Sequence, residues 1–127
     1  MCYIHSVEWE IEVTGEFERW WDSLSEGEQE DVRACVLLLR EYGPALPFPF
    51  STGIHASKHP RMRELRIQHG GEPYRVLYAF DPRRTAVLLI GGRKTGDRRW
   101  YETFVPIADR LYDDYIAELK REGLLDG

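Results

Sequence analysis

The sequence is poor in the residues that build disulfide frameworks and metal centres. It holds 2 cysteines and 4 histidines in 127 residues. A disulfide framework or a zinc quartet needs several such residues at close spacing, so Cys2 and Cys35 argue against both. Cys35 lies among apolar residues, which predicts a core position. We therefore expect neither a metal site nor a cofactor.

Long apolar runs and a signal-peptide pattern are also lacking, so we expect a cytoplasmic protein without a membrane partner. The glycine-flanked segment 91–99 lacks the full spacing of a P-loop and has no helix start after it, which argues against nucleotide binding. Its glycines are interpreted as giving Arg93 and Lys94 backbone freedom. With 127 residues that are 43% hydrophobic, the chain predicts a single domain, 1–127, with one core.

Positive charge is scarce overall but concentrated in the middle of the chain. The formal net charge is −5, yet Lys58 to Arg99 holds eleven Lys and Arg against four Asp and Glu, a net charge of +7. The remaining residues carry a net charge of −12, and Glu-rich helices with solvated faces account for it without any function. Because screening acts over about 8–10 Å, a cationic segment can bind an anionic partner beside it in spite of the acidic ends.

Apolar and polar residues alternate in several segments, as they do in half-buried strands. The predicted strands are Val7 to Val13, Met62 to His69, Tyr74 to Asp81 and Thr85 to Ile90. The last of these is apolar on both faces, which is typical of a strand covered on both sides. Turn residues between the last three predict an antiparallel meander, and the first strand is expected to join it as a fourth.

Helical spacing of apolar residues predicts three helices. The first covers Gly15 to Leu24, and the second opens with the capping box Ser25-x-x-Glu28 and ends at Tyr42-Gly43-Pro44. Pro106 is expected in the first turn of the third, and residues 44–60 are expected to be irregular. The predicted fold is α+β, with an antiparallel four-stranded sheet in the order β-α-α-β-β-β-α. Helices are expected on one face, leaving the other open and basic.

The first hairpin brings two arginines to one face of this sheet. If residues 70–73 form its loop, Gln68 pairs with Arg75, and Arg66 lies diagonal to Arg75 on the face opposite Leu65 and Val76. Such neighbours are roughly 7–8 Å apart, a spacing that suits two cations gripping one phosphate. Arg75 is expected to be on a polar face, so that its loss removes no core contact. Alternatively, the arginines are solvated or paired with Glu64 and Asp81.

The ordered set of motifs resembles the RelE/HigB superfamily of toxins from bacterial toxin–antitoxin pairs, and most closely its phage-derived, HigB-like branch. The resemblance covers roughly residues 54–119. It rests on ELRIQHGGEPYRVLYAF, a strand ending in Gly-Gly, a basic Lys-Thr segment and an amphipathic C-terminal helix. It implies a RelE-like domain that cleaves mRNA at the ribosome and so inhibits translation. It also implies neutralisation by a cognate antitoxin, expected to be a helix-turn-helix protein.

The same resemblance implies roles for particular residues. Catalytic roles are implied for Arg66, Arg75, Lys94 and Tyr101. The arginines would stabilise the phosphate, and Lys94 would do the same or assist the leaving group. Tyr101 is an acid or base candidate, with His55 and Lys58 beside it. RNA contacts are expected from His55, Lys58, Arg93, Arg98 and Arg99. The acids of the basic segment form no clustered ligand set, so we expect cleavage that needs no metal. Superfamily members that act on DNA gyrase share the fold, so a non-catalytic module that inhibits a protein target is the alternative.

Overall fold

The computed structural model describes residues 8–125, and the start of the predicted strand at Val7 lies outside them. In this part of the chain the elements are β1 (Glu10–Val13), α1 (Gly15–Asp22), α2 (Glu26–Tyr42), a 3₁₀ turn (Gly43–Ala45), β2 (Ser51–Gly53), β3 (Arg63–His69), β4 (Glu72–Phe80), β5 (Thr85–Arg93) and α3 (Trp100–Arg121). None of these helices is long and apolar enough to cross a membrane.

The strands form one sheet in the order β1-β5-β4-β3-β2. The meander of β3, β4 and β5 is confirmed, and β1 joins it beside β5. The pairing of β1 with β5 is parallel, so the prediction of a wholly antiparallel sheet is wrong. A parallel pair needs a long crossover connection, and the chain between these two strands includes α1 and α2.

A fifth strand, β2, lies in the segment that was expected to be irregular. Ser51–Gly53 pairs antiparallel with the outer edge of β3, with Thr52 opposite Glu64. The edge of β3 presents backbone donors and acceptors that require partners, and this short strand supplies them. The strand count is therefore five rather than four.

The hairpin between β3 and β4 has a shorter turn than predicted. Gly70 and Gly71 both have positive φ, +56° and +79°, and form a two-residue turn. Arg75 consequently pairs with Arg66 instead of Gln68, so the predicted register was wrong by two residues. Because side chains alternate with a period of two, this shift leaves every face unchanged. Arg66 and Arg75 share a face, and Leu65 and Val76 belong to the core on the other, as predicted.

Helices cover both faces of the sheet. On one face α1 and α2 contribute Phe17, Val32 and Leu39 to a core with the buried side chains of β3, β4 and β5. On the other, Trp100, Val105, Ala108 and Leu111 of α3 pack on Leu77, Val87 and Leu89. The prediction that helices cover one face is therefore wrong, and the physical reason lies in β5, whose two apolar faces each require a cover.

The helix ends follow local sequence in one case and not in another. The predicted capping box is present, with Glu28 N donating to Ser25 Oγ at 3.2 Å and Ser25 N donating to Glu28 Oε1 at 2.8 Å. By contrast, α3 begins at Trp100, so Pro106 lies inside the helix instead of in its first turn. Pro106 and Glu102, whose carbonyl loses its usual donor, are both exposed, so water can solvate that carbonyl.

Two glycines in β5 allow α1 and α3 to pack close to the backbone of the strand. A Cβ on Gly91 would lie 2.3 Å from the ring of Trp20, and a Cβ on Gly92 would lie 2.8 Å from Nε1 of Trp100. Because the two glycines have no side chains, one tryptophan can pack on each face of the strand. Neither glycine has a positive φ, whereas Gly96 of the same segment has one of +69°. For Gly91 and Gly92, the interpretation that the glycines give backbone freedom to Arg93 and Lys94 is therefore replaced by close packing. They are close-packing positions within β5, which runs on to Arg93.

We expect Gly91→Ala to destabilise the protein because its methyl group overlaps the Trp20 ring. Overpacking of this kind costs about 1–3 kcal/mol of unfolding free energy. Gly53→Ala is the matched control, since a Cβ there meets its nearest atom at an ordinary 3.8 Å. Urea unfolding of both variants measures the difference, and equal stabilities would contradict this account of the glycine.

Candidate active site around Glu64

A buried carboxylate, Glu64 on β3, lies at the centre of the predicted site. The residue is 4% exposed and its side chain is on the α3 side of the sheet. Thr52 Oγ1 on the neighbouring strand β2 donates to its Oε2 at 2.6 Å. The phenol of Tyr101, in the first turn of α3, donates to its Oε1 at 2.6 Å. Strand pairing and the start of α3 thus bring three distant segments together at one carboxylate.

The two predicted arginines lie beside this carboxylate. Arg66 and Arg75 are directly opposite each other across β3 and β4, an arrangement of like charges that is unfavourable by itself. Glu64 compensates it, with Oε2 at 3.5 Å from Arg66 Nη1 and Oε1 at 3.5 Å from Arg75 Nε. The alternative of pairing with Glu64 is therefore confirmed for both arginines, whereas Asp81 pairs with Arg83.

Arg75 is more enclosed than its place on a polar face suggested. It is 6% exposed, so the expectation that its loss removes no core contact is wrong. Its Nη1 donates to the carbonyl of Tyr74 at 2.9 Å. At 3.5 Å the contact of Nε with Glu64 is an ion pair without a hydrogen bond, and Nε is a buried donor without an acceptor in residues 8–125. An unsatisfied cationic donor is costly to retain, and an incoming anionic oxygen would satisfy it.

Tyr101 is held in its protonated form. Burial, the hydrogen bond to Glu64 and the negative charge of Glu64 all raise the pKa of the phenol, and nearby Arg75 opposes them in part. Lys94 adds a cation 5.3 Å from the centre of the Tyr101 ring. The backbone nitrogen of Lys94 donates to the Pro73 carbonyl at 2.8 Å, which ties the loop after β5 to this site.

Two cavities adjoin the cluster. One of about 270 Å³ is lined by Arg66, Arg75, Cys35, Pro49, Phe50 and Gln68. The other, of about 360 Å³, is lined by His55, Glu64 and Tyr101 together with residues of β2 and the loop after it. Cys35 packs against the core while lining the first cavity, and burial raises the pKa of its thiol, which disfavours a nucleophilic thiolate.

The remaining predicted RNA contacts lie outside the cluster. Lys58 pairs with Asp113 of α3, as does His59, whose Nε2 is 2.9 Å from Asp113. Arg93 pairs with Glu72 at 3.7 Å and Arg99 with Glu102 at 2.9 Å, while Arg98 is exposed. Of the nine predicted residues, the structure thus brings together Arg66, Arg75, Lys94, Tyr101 and His55.

Sequence reasoning missed the central role of Glu64 and the contribution of Thr52. The sequence suggests Glu64 as a possible ion-pair partner, and its position two residues before Arg66, which places both on one face of a strand, is the signal that could have revealed more. Thr52 carried no signal, because its strand was not predicted. Within residues 8–125, no three His, Cys, Asp or Glu side chains are grouped so that they could hold a metal ion.

Comparison with known proteins identifies the family. Residues 19–113 match the family described as phage-derived protein Gp49-like. HigB3 of Mycobacterium tuberculosis, named as a toxin, is 39% identical over 101 residues, which are 79% of this chain and 87% of HigB3. The chain belongs to the Gp49-like family of RelE/HigB-type toxins. HigB2 of the same organism, also named as a toxin, is 34% identical over 117 residues, and the match spans 91% of this chain but only 58% of HigB2.

Solved structures confirm the RelE-like fold of this family member. RelE in the RelE–RelB complex of Pyrococcus horikoshii is 15% identical, with a TM-score of 0.52 over 70% of this chain and 98% of that one. An arginine-to-alanine double mutant of Escherichia coli RelE, in the free state, is 14% identical, with a TM-score of 0.51 over 76% of this chain and 95% of that one. At these identities the likeness concerns the fold.

The ion pair between Arg75 and Glu64 can be tested by a double-mutant cycle. We expect Arg75→Met to lower the unfolding free energy by about 1–3 kcal/mol, since it leaves the buried Glu64 charge with less compensation. Glu64→Gln in the same chain removes that charge, so the double variant should be more stable than the sum of the single effects predicts. Strict additivity in urea unfolding would show that the two side chains do not interact.

Proposed function

We propose that this chain is the toxin of a type II toxin–antitoxin pair and acts as an mRNA endonuclease that needs no metal. The observation that carries the proposal is the cluster at Glu64, where two arginines and a protonated phenol surround one carboxylate beside open cavities. Membership of the family and the two relatives named as toxins support the toxin role.

The cluster contains the groups that RNA cleavage requires. When a 2′-hydroxyl attacks the adjacent phosphate, its proton must be removed, charge builds on the phosphate oxygens, and the leaving 5′-oxygen must gain a proton. Glu64 is the acceptor in the cluster and would take the first proton. Tyr101 carries a proton that it can donate to the 5′-oxygen. The bond from O2′ to phosphorus forms as the bond from phosphorus to O5′ breaks, so the step consumes no external reagent.

The cations of the cluster would stabilise the transition state. Arg66 has about a third of its side chain exposed, and Arg75 offers its unsatisfied Nε from the adjacent strand. Both arginines line the same cavity, and we propose that the phosphate enters there. Lys94 adds positive charge on the Tyr101 side. Such preorganised donors are effective because they do not have to reorient as charge develops.

The proposed partners are mRNA on the ribosome and a cognate antitoxin, all in the cytoplasm. Phe48 is 70% exposed, and its ring lies 5.6 Å from the guanidinium carbon of Arg66. An antitoxin segment that combines acidic and apolar side chains would therefore match this face in both charge and hydrophobicity. Covering it would prevent RNA from reaching Arg66, and this is the route by which we propose that the toxin is neutralised.

Arg66→Gln tests the catalytic assignment. We expect cleavage of naked RNA and of mRNA on ribosomes to fall about 10²–10³-fold, the usual effect of removing one donor to a developing oxyanion. Arg110→Gln, at an exposed position on α3, is the control and should cleave like the wild type. Thermal unfolding of both variants checks that the fold is intact.

The same assay tests metal independence. Cleavage of naked RNA should survive EDTA, and cleavage on ribosomes should survive a chelator that leaves ribosomal magnesium in place. Loss of activity under either condition would contradict a metal-free mechanism. Cleavage by Arg66→Gln at the wild-type rate would remove this residue from the site.

Co-expression tests the antitoxin proposal. Expression of the chain alone should arrest growth, and expression together with the product of the adjacent reading frame should restore it. The Arg66→Gln variant should be tolerated without any partner, because it lacks the cleavage activity. Growth arrest by this variant equal to that by the wild type, with mRNA intact, would instead favour a non-catalytic module that inhibits a protein target such as DNA gyrase.

A further inference from the structure

A second group of arginines lines a separate cavity at the end of the sheet where β3 begins. This cavity, of about 490 Å³, is bordered by Arg61, Arg63 and Arg84, which we call the arginine cleft. Within residues 8–125 none of the three has a carboxylate oxygen within 4.0 Å. The arginines of the Glu64 cluster and the neighbouring Arg83 all have one. The cleft therefore carries positive charge that the described part of the protein does not neutralise.

Among residues 8–125, the one carboxylate that borders the cleft, Asp81, is already engaged. Asp81 has a fully buried side chain. Its Oδ1 accepts from the backbone nitrogens of Arg83 at 2.8 Å and Thr85 at 3.1 Å, and its Oδ2 pairs with the Arg83 guanidinium at 3.2 Å. Its function is to hold the turn between β4 and β5. It therefore pairs with none of the three cleft arginines. Arg63 donates from Nε to Ser51 Oγ at 3.0 Å, and the exposed Arg61 and Arg84 are left for an external anion.

Arg84 occupies a backbone position that normally favours glycine. Its φ is +69°, in the left-handed region, where a residue with a Cβ is disfavoured. Its guanidinium carbon lies 4.1 Å from the centre of the Trp9 ring, and this stacking holds the cation at the border of the cavity. The backbone at this position would suit glycine better, and the arginine found there has its side chain beside the cleft.

The cleft is a neighbour of the Glu64 site. Gly53 of β2 lines both the arginine cleft and the cavity that contains His55, Glu64 and Tyr101. Gly53 also pairs directly with Arg63, and the position of its absent Cβ is 3.8 Å from Arg63 Nη1. Gly53 thus adds no side chain to the strand edge that the two cavities share. An extended anionic polymer can therefore contact both.

We propose that the arginine cleft binds backbone phosphates of the RNA strand that flank the cleaved phosphodiester. Guanidinium groups suit this ligand because their planar array of donors matches phosphate oxygens bidentately. In a chain with net charge −5, unneutralised cations at this place concentrate the attraction next to the site. The identity of the polymer as RNA rests on the proposed function.

The test compares two double variants with the same change in charge. Arg61→Gln with Arg84→Gln removes two cations of the cleft. Arg33→Gln with Arg110→Gln removes two exposed arginines elsewhere, and Arg33 is stacked on Trp21 at 5.4 Å in the way that Arg84 is stacked on Trp9. The probe is a fluorescent single-stranded RNA with 2′-O-methyl riboses, which cannot be cleaved. Binding is measured by anisotropy over a range of salt concentrations.

We expect the cleft variant to bind about tenfold more weakly, and the slope of log affinity against log salt to fall by about 1.4, or about 0.7 for each lost phosphate contact. The control variant should keep the wild-type slope. Arg84→Gly is a second check, because glycine suits the left-handed backbone. This variant should unfold near the wild-type temperature, and its slope should fall by about half as much as that of the double cleft variant. Affinity and slope equal to those of the control would overturn the proposal.

Cleavage of ordinary RNA separates this proposal from the proposed function. If the wild type cleaves RNA but the cleft variant binds like the control, the cleft proposal fails and the nuclease stands. If the wild type binds RNA without cleaving it, and the cleft variant binds more weakly, the cleft stands and the nuclease fails. A wild-type protein that neither binds nor cleaves RNA overturns both.

Discussion

The interaction on which the site depends is the compensation of a buried carboxylate by two arginines. Taking Glu64 out of water costs several kcal/mol unless cations and hydrogen bonds replace the lost solvation. Arg66 and Arg75, directly opposite each other, would repel without it. Each of these three charges is therefore stabilised by a neighbour of opposite sign. An entering phosphate would compete with Glu64 for the same guanidinium groups, which couples substrate binding to the charge balance of the resting protein.

The packing of α3 on the sheet keeps Tyr101 in contact with Glu64. Tyr101 reaches Glu64 because α3 begins at Trp100, whose indole lies against the backbone of Gly92. A larger residue at Gly92 would hold the helix away from the strand and would move Tyr101 with it. The strand-end glycines of the family resemblance thus have a steric explanation here, and it differs from the backbone freedom that the sequence suggested.

The tertiary structure shows which cations of the basic segment are neutralised by ion pairs and which are not. Many cations of the basic segment are neutralised locally, as Lys58 is by Asp113 and Arg93 by Glu72. Within residues 8–125, the places that we propose for an anionic partner are the Glu64 cluster, with its unsatisfied donor on Arg75, and the arginine cleft. The count of positive residues favoured such a partner, whereas the ion pairs show which of these cations are already neutralised within the protein. The RelE-like fold by itself does not make this distinction.

The sequence by itself determined which residues share a face, the capping box at Ser25 and the family. Alternation has a period of two, so the placing of Arg66 and Arg75 on one face survived a hairpin register that was wrong by two residues. Only the tertiary structure decided the parallel pairing of β1, the strand at Ser51–Gly53 and the cluster at Glu64. The reason is physical: these features depend on which strand edges meet and on contacts between side chains far apart in sequence, as in the 37-residue separation of Tyr101 from Glu64. Local periodicity carries no information about either.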